Sequence, residues 1–387
     1  MNFFIKFQQK KKQILTTLVF SIILITGITI FKDYNAYSDE PFHYWAGSVY
    51  YKFIKTYLIT LNLHNSFFYE IQTYLNNDGY KWWFVYPIFF DLLSEFLVDL
   101  LNLNNQNIFF LRHFLVFFIF FISTIFFYFL IEKRFNNYYF SILSVLILFL
   151  TPCIFSNSFY NSKDIIFLSF SIISIYYAVK FIENNNIKNL IFFSIFSGLM
   201  INARIFGLLL VLSFYFVYLF HGKIELKSFL KKIFFIFFSF FIILAVCFLF
   251  WPFLWFDFLN NIQVYKNYIT TDLVEVNITN LYFGKIYQDS NLPLHFLPVW
   301  ILITTPISVL LLSIIGYYKI FISFLNNLDV IEKTNQLYKN KKELLDFFIF
   351  IFFSSSFLFG LFSNYMHGSW RYFYFIYPMI IYFGIYS

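Results

Sequence analysis

Apolar residues occur along this chain in blocks longer than the alternating pattern of a strand or the single stripe of a soluble amphipathic helix. Such blocks lie near 14–32, 107–131, 138–154, 165–182, 189–203, 205–220, 233–251, 296–316 and 345–363. A last one starts near 372 and runs to the end. Each predicts a helix that crosses a bilayer, about ten spans in all. Residues 14–31, ILTTLVFSIILITGITIF, read as a retained first span, because no small-residue cleavage pattern follows them. The fifth and sixth blocks meet in GLMINARIFG. One helix through that junction would be long for a core of roughly 30 Å, so two spans are predicted. Between the first two spans the pattern changes. Residues 41–60 and 87–100 predict helices lying on the membrane surface, the second with Asp91 and Glu95 one turn apart on one face.

Composition turns this pattern into a fold class. Of 387 residues, 60% are hydrophobic and only 12% charged, against about 25% charged in an ordinary soluble domain. The chain is therefore read as an all-α polytopic membrane protein, a single transmembrane unit over 1–387. Its two long loops are 33–106 and 252–295. The 65 Phe reflect a general compositional bias, so single aromatics carry little weight. No internal repeat is read, and the lack of a sizeable cytosolic domain and of a Gly-rich phosphate loop between a strand and a helix argues against a nucleotide-sugar enzyme. Cys153 and Cys247 have no spacing that suggests a disulfide framework or a metal site.

The net charge of +7 would suit nucleic acid, but its placement explains it otherwise. With the N-terminus inside, segments 1–13, 132–137, 180–190, 221–232 and 317–344 hold seventeen of the 27 Lys and Arg. That bias predicts a cytoplasmic N-terminus, and it supports splitting the fifth and sixth spans. Both long loops then lie outside.

Five polar features fall on that outer side: Asp39-Glu40, with His43 close behind; Lys163-Asp164 in NSKD; Arg204 in NARIFG; His295 in PLHFLP; and His367, Trp370 and Arg371 in HGSWRY. Each has a plainer reading. Asp39 or Glu40 suits the cap of a helix starting at Pro41, Lys163-Asp164 a local ion pair, and Arg204 a snorkelling side chain. His295 suits an interfacial histidine, and Trp370-Arg371 an aromatic-belt anchor. Five on one face of a charge-poor chain point instead to a site, because ionisable residues at a membrane edge are expensive. Transfer of a sugar from a lipid phosphate needs a carboxylate to take the acceptor proton and cations to hold the departing phosphate. Asp39 fits the first role; Arg204, Arg371 and Lys163 fit the second. Trp45, Trp82 and Trp83 are candidates for stacking on sugar.

In their order these motifs resemble the GT-C superfamily of membrane glycosyltransferases, specifically the bacterial relatives of protein O-mannosyltransferases and aminoarabinose transferases (glycosyltransferase family 39-like). The acidic pair of the first outer loop looks like Asp39-Glu40, and NSKDIIF matches an NPKD segment with Ser162 for Pro. Arg204 and Gly207 match R-x-x-G. Pro293, His295 and Pro298 match P-x-H-Y-x-P with Phe296 for Tyr. GSWRYFYFIYP matches a late G-W-R-H-x-x-F-x-Y-P with one extra residue and Tyr372 for His.

The resemblance covers about 30–380 and implies a GT-C-like helical bundle, a polyprenyl-phosphate sugar donor and a periplasmic active site in the inner membrane. It implies Asp39 as base with Glu40 as its partner, Arg204 and Arg371 as phosphate ligands, and a hydroxyl on a glycan, lipid or protein as acceptor. Lys163 joins the phosphate ligands on chemical grounds, and His43, Asp164, His295, His367 and Trp370 are expected to line the site. No cofactor is fixed by the sequence. A divalent metal is left open, with Asp39, Glu40, His43, His295 and His367 as its candidate donors. Partners are membrane lipids, donor and acceptor, with no nucleic acid. The chain ends inside the last predicted span, where family members continue, and so reads as a truncated or minimal member. The alternatives are a polyprenyl-lipid or polysaccharide transporter, a non-catalytic lipid-binding protein of envelope assembly, and a ligase or polymerase of another membrane fold.

Overall fold

The computed structural model describes residues 2–37, 39–60, 73, 81–221, 226–268, 279–288, 291–334, 341–363, 366 and 368–387. They form a largely helical, multi-pass membrane protein. Six described helices are long and apolar enough to cross a bilayer: α1 (Asn2–Ile30, apolar from Lys10), α5 (Asn105–Phe135), α8 (Asp164–Asn184), α11 (Leu226–Leu249), α15 (Ile307–Thr334, apolar to Leu328) and α16 (Lys341–Phe362). Shorter apolar helices stand between them: α6 (Tyr138–Leu150), α9 (Ile187–Ala203), α10 (Leu208–Phe220) and α17 (Tyr377–Tyr386). The segment between α1 and α5 carries α2 (Glu40–Thr60), α3 (Lys81–Phe84) and α4 (Phe89–Leu101). The remaining pieces are α7 (Pro152–Asn157), α12 (Phe253–Phe256), α13 (Phe258–Asn267), α14 (Phe296–Thr304) and a hairpin of β1 (Thr279–Tyr282) and β2 (Lys285–Gln288).

The Asn-rich junctions explain where several helices stop and start. Asn136 and Asn185 close α5 and α8 in the left-handed conformation, at φ 52° and 48°, which Asn tolerates better than most residues. The next residues, Asn137 and Asn186, then cap α6 and α9 by accepting from Tyr139 and Lys188 amides. Two consecutive Asn thus make a tight reversal between spans. Proline makes two further breaks. The expected span 138–154 stops at Leu150, and Pro152 opens α7. The expected span 296–316 divides at Thr305-Pro306 into α14 and α15, because a proline clashes with the preceding helical turn. The last expected span begins as a 3₁₀ segment, Arg371–Ile376, before α17.

α8 lies at the centre, buried along most of its length and packed between α5 and α9. α1 and α11 stand at the periphery, where Ile14, Leu18, Ile22, Phe234, Phe237 and Phe241 face outward. Two charged layers mark the ends of the bundle. At one, Arg112 of α5 meets Glu40 and Asp91. At the other, Arg134 of α5 makes a two-pronged pair with Asp346, 2.7 Å at each contact, and Tyr382 donates to the same carboxylate at 2.5 Å. The two arginines are 22 residues apart on one helix, about 33 Å along its axis at 1.5 Å per residue. That matches the roughly 30 Å apolar core of a bilayer.

Candidate active site

The chain breaks helical geometry where the polar motifs fall, and the breaks bring them together. α1 ends at Ile30, and the segment after it leads to Asp39 at the start of α2. α9 ends at Ala203, Arg204 is extended (φ −152°, ψ 130°), and a 3₁₀ turn over 205–207 leads into α10. Gly368 and Ser369, both left-handed, turn the chain just before Arg371. Between these ends lies a narrow polar cleft lined by Tyr37, Asp39, Glu40, His43, Tyr160, Asn161, Ser162, Lys163, Asp164, Arg204 and Arg371. Its free volume is about 30 Å³, room for water but not for a sugar ring.

The Asp39 carboxylate is 37% exposed and 3.8 Å from the Arg371 guanidinium. Arg371 also donates to the Tyr37 hydroxyl and lies over the Tyr37 and Tyr372 rings. Arg204 pairs with Asp164, Nη2 to Oδ1 at 2.6 Å, and its guanidinium stacks 4.1 Å over Tyr372. Asn161 organises the loop before α8. Its Oδ1 accepts from the Asp164 amide at 2.9 Å, and its Nδ2 donates to the Asp164 carboxylate at 2.9 Å. Lys163 holds its ammonium 3.7 Å over the Tyr86 ring. Burial, with the Arg204 charge adding, pushes that ammonium down to about 7. Burial, then Lys163, holds the His43 imidazole well below its ordinary value, so it is neutral at pH 7.

Glu40 lines the cleft beside Asp39 but takes partners of its own. It is 2% exposed, accepts from Arg112 Nε at 3.3 Å, and lies 3.0 Å from His113 Nε2. Arg112, with no exposed surface, also donates to Asp91 and to the Ser94 hydroxyl, each at 2.8 Å. Burial raises the Asp91 carboxyl in spite of Arg112. The network ties α5 to α2 and α4, and sets the backbone on which Asp39 is mounted. Arg112 and His113 were not among the expected site residues. A charged pair inside the run NIFFLRHFLVFF was the available signal.

Not every expected residue reaches the cleft. Trp370 has no exposed surface; its indole donates to Thr304 Oγ1 at 2.9 Å and packs on Tyr374. It is a core wedge, because the turn that sends Arg371 outward sends its neighbour inward. His295 is exposed at the start of α14 beside Tyr282 and Phe283 of the hairpin, and does not line the cleft. Trp83 stacks on Phe42 and meets His43 edge-on, and Trp45 meets Phe84; neither lines the cleft. His367 and the side chain of Trp82 lie outside the described residues. Among the described residues no three His, Cys, Asp or Glu side chains converge as metal donors.

No curated protein and no solved structure matches the chain. The family model described as dolichyl-phosphate-mannose-protein mannosyltransferase matches residues 86–251, so the segment bearing Arg112, Lys163, Asp164 and Arg204 is similar to a family of membrane glycosyltransferases.

Proposed function

We propose that the protein is an inverting membrane glycosyltransferase that moves a hexosyl or pentosyl group from a polyprenyl-phosphate donor to a hydroxyl of a glycan, lipid or protein. One observation carries the reading. A partly exposed carboxylate, Asp39, shares a cleft at one end of the bundle with the cations Lys163, Arg204 and Arg371. In this reading Asp39 takes the proton from the acceptor hydroxyl as its oxygen attacks the anomeric carbon. The bond from that carbon to the donor phosphate breaks, and the electron pair leaves on the polyprenyl phosphate. Arg371, Arg204 and Lys163 stabilise that anion. Attack opposite the leaving group inverts the configuration.

The cleft's free volume implies that a donor enters only after side chains part. The contacts of Arg371 with Tyr37 and Asp39 are the latch that must open. We assign the cleft to the periplasmic side of the inner membrane, with the N-terminus cytoplasmic, because the Lys and Arg bias places it there.

The test is turnover of a panel of polyprenyl-phosphate sugars by the purified protein in lipid. Asp39→Asn should lower kcat by about 10²–10⁴-fold, the usual worth of a general base, while donor binding survives. Arg371→Met should weaken donor binding. Equal kcat in Asp39→Asn and the unaltered protein would remove Asp39 as base.

A further inference from the structure

The β1–β2 hairpin stands apart from the cleft chemistry and has two unlike faces. Its register pairs Thr279 with Gln288, Asn280 with Tyr287, Leu281 with Ile286, and Tyr282 with Lys285. Asn280 and Tyr282 face the protein. The Asn280 amide donates to the Met366 carbonyl at 2.9 Å, and Tyr282 is buried with its ring 5.0 Å from Phe296. The other face is graded from base to tip. Thr279 and Gln288 at the base are polar, whereas Leu281 and Ile286 nearer the turn are 72% and 75% exposed. Phe283 at the tip is 75% exposed. Phe283 and Gly284 both have positive φ, 47° and 73°, as a tight hairpin turn requires, and Asn-Gly is the usual pair there. A phenylalanine in that position is disfavoured by its own backbone, so a role for the side chain is needed to explain it.

The surroundings say what the tip meets. Met366 lies five residues before Arg371, so the hairpin is on the side of the membrane that carries the cleft. From the hairpin the chain passes through Leu294 into α14 and α15, where Leu302, Ile303 and Ile307 are 52–76% exposed. These outward apolar side chains are the lipid-facing surface of a multi-pass protein, and the hairpin tip lies against the start of α14, with the Phe283 ring 6.4 Å from His295. Tyr287 and Trp300 are half-buried nearby, the residue types that collect at headgroup depth. Exposed Lys285 beside the tip suits lipid phosphates.

We propose that the hairpin docks tip-first into the headgroup region of the leaflet on the cleft side, with Phe283, Leu281 and Ile286 in the bilayer and Thr279 and Gln288 at the water boundary. The proposal rests on the multi-pass architecture and not on the reaction, so the two fail separately.

The test uses the full chain in vesicles of phosphatidylcholine with a minority of phosphatidylglycerol, with Cys153 and Cys247 replaced by serine. Nitroxide labels are placed by Thr279→Cys, Ile286→Cys, Phe283→Cys and Gln288→Cys, and their access to oxygen and to a water-soluble nickel complex is compared. The oxygen-to-nickel ratio should be highest at 283, lower at 286, and lowest at 279 and 288. Equal nickel access at 283 and 288 overturns the proposal. A second measurement keeps both native cysteines. A benzophenone amino acid at position 283 should crosslink to phospholipid, and crosslinking to protein alone overturns the proposal too.

Discussion

Replacing Arg112 by methionine tests the network beneath Asp39, and the structure fixes the expected size of the effect. Methionine keeps an apolar stem where Arg112 packs over Phe90, 5.1 Å from its ring. What is lost is a guanidinium with no exposed surface that serves Asp91, Ser94 and Glu40 at 2.8, 2.8 and 3.3 Å. Removing one side of a buried pair costs about 3–5 kcal/mol, because the remaining charge is stranded. Here two carboxylates are stranded. Two features limit the loss: Glu40 keeps His113 at 3.0 Å, and burial has already raised the Asp91 carboxyl toward protonation. The expected destabilisation is therefore about 3–5 kcal/mol and not twice that.

The measurement is reversible unfolding in mixed micelles for the unaltered protein, R112M, E40Q and R112M/E40Q. The double variant should lose less than the two single losses added, by about 0.5–3 kcal/mol. The sign of the pH dependence follows from Asp91, whose folded-state pKa is raised above an unfolded value of about 3.9. Folding then takes up a proton between those two values. R112M should be most stable at acid pH and should weaken as pH rises from about 4 toward the raised value. A loss below about 1 kcal/mol, with no pH dependence, would refute the assignment of Arg112 as the buried counter-ion.

Lys163, pushed down to about 7 by burial and the Arg204 charge, should be driven back toward its ordinary value by an anionic donor. Binding therefore takes up a proton, and donor affinity measured by titration should fall by up to about tenfold per pH unit above pH 7. Lys163→Met should bind more weakly and lose the dependence. Gly47→Ala would place a Cβ 2.5 Å from the Asp91 Cβ. It should cost about 1–3 kcal/mol by overpacking and lower kcat by shifting α4 against α2. Tyr37→Phe removes the hydroxyl that accepts from Arg371. If the Arg371 contacts latch the cleft, donor association should quicken in stopped-flow binding, and an unchanged rate would locate the latch elsewhere.

The architecture was largely legible in the sequence, because apolar blocks, proline and basic loops are each tied to a strong energy. The split at Arg204 is an example. The break at that junction was read from the length one uninterrupted helix would have and from the positive-charge bias, and the chain does leave the helix at Ala203. The error at 296–316 came from running an apolar block through Thr305-Pro306, although the proline was in plain view. The hairpin was not legible, since β1 and β2 are four residues each and lie in a loop without a sustained alternating pattern. Side-chain direction was harder still. Trp370 and Arg371 are adjacent, both suit an interface, and one is wholly buried while the other reaches the cleft. Nothing in residue type separates them; the backbone turn at Gly368 and Ser369 does.

The same geometry settles what adjacency in Asp39-Glu40 means. Neighbouring residues at the start of a helix point about 100° apart, so Asp39 and Glu40 touch one cleft but meet different partners. Two carboxylates side by side in the sequence therefore suggest a pair of acids, but the helix divides them. Glu40 turns inward to Arg112 and His113, where a charge is tolerable only because it is met by hydrogen bonds and an opposite charge. Asp39 is left toward the cleft, near Arg371 and partly open to water. The division also explains why the acidic pair needs an arginine far along the chain inside an apolar span. A carboxylate one residue away from a site cannot be left in a buried pocket without a counter-charge, and Arg112, 72 residues on, supplies it. Glu40 is thus the anchor that fixes the angle at which α2 presents Asp39. A substitution at Glu40 should act on kcat through the placement of Asp39, and Glu40→Gln, which keeps the hydrogen-bonding shape, should cost less than Glu40→Ala.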